Sequence, residues 1–267
     1  MTWRVNPQRE QMNLATMLDT EHTLNKPVQL WLVRHGETQW SATGQHTGRT
    51  DLPLTIEGKR DARQIGGFLD GRCFALVLTS PLQRARETCR LAGYGESAII
   101  EANLGEWDYG KYEGRTTPEI QIERPDWSLW RDGVIGDERI EQVAARAQKV
   151  IDRAVASSGD VLVFAHGHIL RVLTVCWLGL PPDAGRLFAL GRASVSVLGY
   201  ERYTRVITQW NGEAKEQAHS RSEVKMASAE RSNQNAAPGG ESEQPALSSE
   251  NSAGDLDLSG ADTGSRK

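Results

Sequence analysis

"VQLWLVRHGET", residues 28–38, passes from an unbroken apolar run directly into Arg34, His35, Gly36 and Glu37. Apolar residues without polar alternation suit a strand buried on both faces, as inside a parallel sheet. Two more such runs follow, "FALVLT" (74–79) and "VLVFA" (161–165). Helical patterns lie between them. From Ile140, the apolar positions Val143, Ala144, Ala147, Val150, Ile151 and Ala154 recur at threes and fours and mark one buried face. "SPLQRARETCRLA" predicts a helix with Ser80 as N-cap, Pro81 at its first position and Gln83 completing a capping box; Thr55 takes the cap role in "PLTIEGKRDARQIGGFLD". Strands alternating with helices predict an α/β fold: a three-layer, open, mostly parallel sheet with helices on both faces. "ASVSVLGYER" (193–202) and "TRVITQW" (204–210) predict a closing strand or hairpin.

The polarity of the 267 residues is uneven. After Trp210 there is no aromatic residue, and 212–267 are built from Ser, Glu, Ala, Gly, Asn, Gln and Asp, with 10 acidic and 6 basic side chains. Such a segment buries too little apolar surface to offset the entropy of ordering it, which predicts a disordered acidic tail over 213–267. The formal charge of −4 resides there; the rest is balanced at 25 against 25. No general basic footprint for nucleic acid is present. The compact domain is predicted over 28–212, after an N-terminal extension, 1–27. That extension lacks the apolar core of a secretory signal, and no stretch reaches the roughly 18 apolar residues of a membrane span. Cys73, Cys89 and Cys176 are scattered through apolar or helical runs and read as small core residues in a reducing compartment. Together these features predict a cytoplasmic protein with no membrane partner.

In an open α/β sheet, ligands sit beyond the carboxyl ends of the strands. The first run ends in Arg34-His35-Gly36-Glu37. The second ends in Thr79-Ser80 and leads to a helix carrying Arg84 and Arg86; the third ends in His166-Gly167-His168. Two histidines and at least two arginines on one rim, with helix N-termini, are parts for holding a dianionic phosphate. Taken singly, each has a plainer role as a structural histidine or a solvated arginine. A zinc site is disfavoured because His46 has no ligand-like spacing to the His166–His168 pair.

"VRHGET", "TSPLQRARET", "EWDYGKYEG" and "VFAHGH" resemble, in order and spacing, four signature segments of the histidine phosphatase superfamily, also called phosphoglycerate-mutase-like. The resemblance covers about 28–210. It implies that His35 is the nucleophile that becomes phosphohistidine, that Arg34 and Arg84 bind the transferring phosphoryl group, and that His166 completes the pocket, supplying positive charge if protonated. Glu106 matches the proton donor to the leaving alcohol. Gln45, Thr47 and Gly48 lie where relatives contact phosphate or substrate; Gly167 and His168 follow as further contacts. Glu37 and Glu113 read as structural supports. The scheme needs no cofactor and no metal, and its partner is a small phosphorylated metabolite.

The wording is most similar to the branch of sugar-bisphosphatases and broad acid phosphatases. Only about 50 residues separate Glu106 from the strand at 161, too few for the closing segment of cofactor-dependent mutases, so hydrolysis is expected. A phosphoglycerate mutase, and a non-catalytic phospho-ligand or protein-binding module with the tail as its contact arm, are the alternatives. "DGVIGDERIEQV" departs from the branch: Glu138 aligns with its glutamate, but Asp137 and Arg139 replace small residues, which bears on specificity rather than on the core chemistry.

Overall fold

A computed structural model describes residues 27–69, 71–134 and 138–213. The predicted extension up to residue 26, the predicted tail beyond Glu213, and Asp137 lie outside those residues. Strands β1 (Leu30–Arg34), β2 (Leu76–Thr79), β3 (Ala98–Ile100), β4 (Val161–Ala165), β5 (Ser194–Glu201) and β6 (Thr204–Glu213) form one sheet in the order β3-β2-β4-β1-β5-β6. The first four in that order run parallel, and β5 and β6 close the sheet as an antiparallel hairpin beside β1. The described helices are α1 (Gln39–Thr43), α2 (Ile56–Leu69), α3 (Gln83–Leu91), α4 (Thr117–Glu123), α5 (Leu129–Asp132), α6 (Ile140–Val155) and α7 (Gly167–Trp177).

Side-chain alternation along the strands makes two cores. Leu30, Leu32, Val161 and Val163 face Val143, Ala147, Val150 and Ile151 of α6 and Ile169, Leu170 and Leu173 of α7. Trp31, Val33, Leu162 and Phe164 face Ile65, Phe68 and Leu69 of α2 and Cys89 of α3. This is the three-layer sandwich that strands without polar alternation require. Each side chain of this kind taken fully out of water contributes about 1.5–3 kcal/mol of transfer free energy.

Some local expectations are corrected. Ser80 is not a helix cap: α3 begins at Gln83, behind Leu82, which makes no side-chain cap bond. The Ser80 hydroxyl oxygen accepts from Leu82 N at 3.3 Å, ahead of the helix, and is engaged with His166. Thr55 does cap α2, accepting from Gly58 N at 3.0 Å. Cys73 is exposed rather than in the core, whereas Cys89 is buried, and all three cysteines are free. No helix among the described residues is long and apolar enough to cross a membrane.

Strand register then sets the rim. Arg34 pairs with Ala165 and Thr79 with Phe164, and the ladder continues one step further, with His35 N donating to Ala165 O at 3.0 Å and Ser80 N to Phe164 O at 2.9 Å. His35, Ser80 and His166 are therefore carried to one level by backbone pairing alone.

Candidate active site

His35 is 4% exposed and sits where β1 gives way to a tight turn. A side chain at Gly36 would overlap the carbonyl oxygen of Gly58, so the chain passes α2 at a separation only glycine allows. Gly36 N donates to Thr88 Oγ1 at 3.0 Å, which fixes the turn from α3. The imidazole Nδ1 lies 2.7 Å from Gly36 O. A carbonyl only accepts, so Nδ1 carries the proton and Nε2 keeps its lone pair. Burial, followed by the charges of Arg84 and Arg34, pushes the ring's pKa well below its usual range, so it is neutral at physiological pH.

His166 lies beside it, ring centroids 5.1 Å apart. Arg84 Nε donates to His166 Nδ1 at 3.1 Å, which leaves the ring proton on Nε2, 2.7 Å from the Ser80 hydroxyl oxygen. Burial and the Arg84 charge also push this pKa well down. His166 is therefore a neutral, doubly anchored ring, and the positive charge that the sequence left conditional on its protonation is not supplied; the reason is that a guanidinium N–H occupies the nitrogen that a second proton would need.

Arg84 is fully buried. Its Nη1 donates to Thr50 O at 2.9 Å, and its Nη2 to Thr47 O at 3.0 Å and Gly48 O at 2.9 Å. With the bond to His166, four of its five N–H groups are engaged. Arg86, its partner in the sequence reading, is exposed on the other side of α3. Arg34 donates through Nη1 to Leu190 O at 2.5 Å, while its buried Nε has no hydrogen-bond partner. Glu106 opposes the effect of burial on both guanidinium groups.

The Glu106 side chain is 5% exposed. Its Oε1 accepts from Ile169 N and Trp107 N, both at 2.9 Å, and its Oε2 from His168 N at 3.0 Å. It thus caps α7, whose own N-cap residue His166 supplies no side-chain bond. Behind it, Arg146 of α6 grips Glu138 with two bonds, 2.6 and 2.9 Å, and donates to the carbonyls of Asn103 and Gly105. Glu138 Oε2 in turn accepts from Asp108 N, and Glu138 O from Trp107 Nε1. Sequence reasoning missed Arg146, because a single arginine in an amphipathic helix reads as solvated.

The outer wall is aromatic. Tyr109 OH is 2.6 Å from His168 Nδ1. Burial, then the Arg171 charge, pushes the His168 pKa well down, so the phenol is the donor to a neutral ring. Trp130 lies tilted against His168 (ring centroids 5.2 Å apart) and under the Arg171 guanidinium (4.5 Å). Gln45 is committed elsewhere, its amide donating to Gly114 O at 2.6 Å, and Thr47 donates its hydroxyl to Gln45 O at 3.1 Å. Glu37 accepts from Thr55 Oγ1 and pairs with Arg192 at 3.3 Å, bracing the His35 turn. Arg192, not singled out from sequence, also donates to Ser41 O at 2.9 Å and adds positive charge near His35.

Residues 30–213 match the family model described as histidine phosphatase superfamily (branch 1). The chain is 40% identical over 181 residues to an acid phosphatase of Mycobacterium tuberculosis, covering 66% of this chain and 88% of that protein. It is 36% identical over 182 residues to a sedoheptulose 1,7-bisphosphatase of Saccharomyces cerevisiae, covering 56% of this chain and 67% of that one. A solved structure of a functionally characterised open reading frame from Mycobacterium tuberculosis superposes with a TM-score of 0.66 at 36% identity, over 70% of this chain and 98% of that one.

Proposed function

The chain belongs to the histidine phosphatase superfamily, and from that membership we propose that it hydrolyses small phosphomonoesters, sugar phosphates or phosphoglycerate-like compounds, through a phosphohistidine on His35. One observation carries the proposal: a neutral imidazole whose Nδ1–H is held on Gly36 O, with Nε2 bare, in the field of the buried Arg84 and half-buried Arg34 guanidinium groups. Phosphoryl transfer asks a protein mainly for a placed nucleophile and for cations around the equatorial oxygens.

In the proposed cycle, His35 Nε2 attacks phosphorus as the bond to the leaving alcohol breaks, and the alkoxide takes a proton from Glu106 Oε2. Water then attacks the phosphohistidine, returning a proton to Glu106 and releasing phosphate and neutral His35. The partnerless Nε–H of Arg34 and the remaining N–H of Arg84 are suited to phosphoryl oxygens. Gly167, at the start of α7, packs directly against the Arg34 guanidinium, whose nearest atoms lie 3.4 Å from where a Cβ would stand, an ordinary contact. His166 fixes Arg84 rather than adding charge. Thr47, Gly48, Gln45 and His168 border the substrate space, the first two through the loop that holds Arg84. A cytoplasmic location belongs to the same proposal.

The test is phosphate release from sugar mono- and bisphosphates, phosphoglycerates and an aryl phosphate, run alongside His35→Ala, with an acid-labile phosphoenzyme sought after rapid quench. Release that disappears in the variant, with label trapped on the wild type, is the expected result. Bisphosphate-primed interconversion of phosphoglycerates without release would instead make the protein a mutase. Ligand binding retained with no turnover in either protein would make it a binding module.

A further inference from the structure

Glu113 lies outside the catalytic set, yet its carboxylate gathers four hydrogen bonds. Oε1 accepts from Gly48 N at 2.8 Å and Arg49 N at 3.0 Å; Oε2 accepts from Thr50 N at 3.3 Å and Thr50 Oγ1 at 2.7 Å. Three successive backbone N–H groups around one anion form a nest. The opposite side of the same loop faces Arg84. The peptide unit that points Gly48 N–H at Glu113 points Thr47 C=O at Arg84 Nη2, and the unit that points Arg49 N–H at Glu113 points Gly48 C=O at the same nitrogen. Two consecutive peptide planes are thus strung between an anion and a cation, each polarised by both. A methyl group at Gly48 would overlap Glu113 Oε1 and Trp107 O, so the span has no slack. The Glu113 charge is also among those that oppose the effect of burial on Arg84.

We infer that Glu113 is a positioning residue for phosphoryl transfer, setting the guanidinium of Arg84, and through it the ring of His166, by way of the 47–50 loop. This rests on the phosphatase proposal above for its consequence in turnover, but not for the geometry of Arg84. Glu113→Gln keeps the shape, removes the charge and turns an NH₂ toward backbone donors, so the loop loses its anion. Thr50→Val removes one of the four bonds and is the milder variant.

Two measurements on the full chain decide it. In a double-mutant cycle, Glu113→Gln is expected to lower kcat/KM by roughly 10- to 100-fold in the wild-type background and by less than about threefold in Arg84→Lys, because its path runs through Arg84. Equal factors in the two backgrounds would overturn the inference. Independently of turnover, the Arg84 Nε–H resonance of ¹⁵N-labelled protein, identified by its loss in Arg84→Lys, is expected to shift and exchange faster in Glu113→Gln, and less so in Thr50→Val. An unmoved resonance in a folded Glu113→Gln protein would overturn it as well. If the wild type releases no phosphate from any ester, the phosphatase proposal fails, and the resonance alone then decides the role of Glu113.

Discussion

The phosphate end of the site and its outer wall are held in place by different forces. At the phosphate end, adjacent parallel strands deliver His35, Ser80 and His166 by backbone register, and burial of the sheet fixes that register on both faces. At the wall, the described residues of 102–138 form no strand of the sheet, and they are held by buried side chains such as Trp107, Tyr112, Ile120 and Trp127 together with the Arg146–Glu138 pair. The first arrangement yields only if the sheet yields. The second rests on side-chain packing outside the sheet, and so is the part freer to vary with the substrate.

Experiments that break this contrast can be ordered by expected effect. Glu106 is where the two regions meet, and Glu106→Gln is expected to slow alkyl phosphates by roughly 10²- to 10⁴-fold while aryl phosphates, whose leaving group needs little protonation, lose far less; equal losses on both would remove Glu106 as the acid. Arg146→Ala should cost about 2–3 kcal/mol in a denaturant titration, since it strips charged hydrogen bonds from a largely buried pair, and a midpoint within error of wild type would show that aromatic packing alone holds the wall. The pH profile probes the sheet-held end. Burial and two arginines depress His35 below the ordinary imidazole value of 6.5, so kcat/KM should hold its plateau down through that pH and fall only beneath the lowered value. The same sign applies to stability: His35, His166 and His168 are neutral in the fold and take up protons more readily when unfolded, so stability is lost as pH falls below 6.5. An acid limb centred at or above 6.5 would contradict this picture of the rim. Trp130→Ala should change KM among substrates by less than about tenfold with little effect on inhibition by inorganic phosphate, and a matching loss for phosphate would mean that the wall is not separate. Activity should be unchanged by EDTA; inhibition reversed by added metal would refute the metal-free scheme.

The same contrast explains what could be read from the sequence. The runs around β1, β2 and β4, the face of α6 and the closing hairpin follow from hydrophobic period, and the residues just past the strand ends follow from where such sheets bind ligands. β3 was not legible: it has three residues, and Ile99 and Ile100 are exposed, so no buried pattern marks it. Ser80 stands in a sequence that reads as a cap, but its hydroxyl oxygen turns the chain at Leu82, ahead of the helix, and is shared with His166 across the sheet. The protonation state of His166 was equally hidden, because it is set by Arg84, 82 residues away. Side-chain networks of that range leave no local periodicity to detect.

The cap of α7 is borrowed from far upstream: the N–H groups of His168 and Ile169 wait for a carboxylate 62 and 63 residues earlier in the chain. The first turn of α7 is therefore completed only where the segment carrying Glu106 is docked, and one contact both caps the helix and places the proposed proton donor. Amide exchange at His168 and Ile169 accordingly reports docking of that segment rather than fraying of the helix.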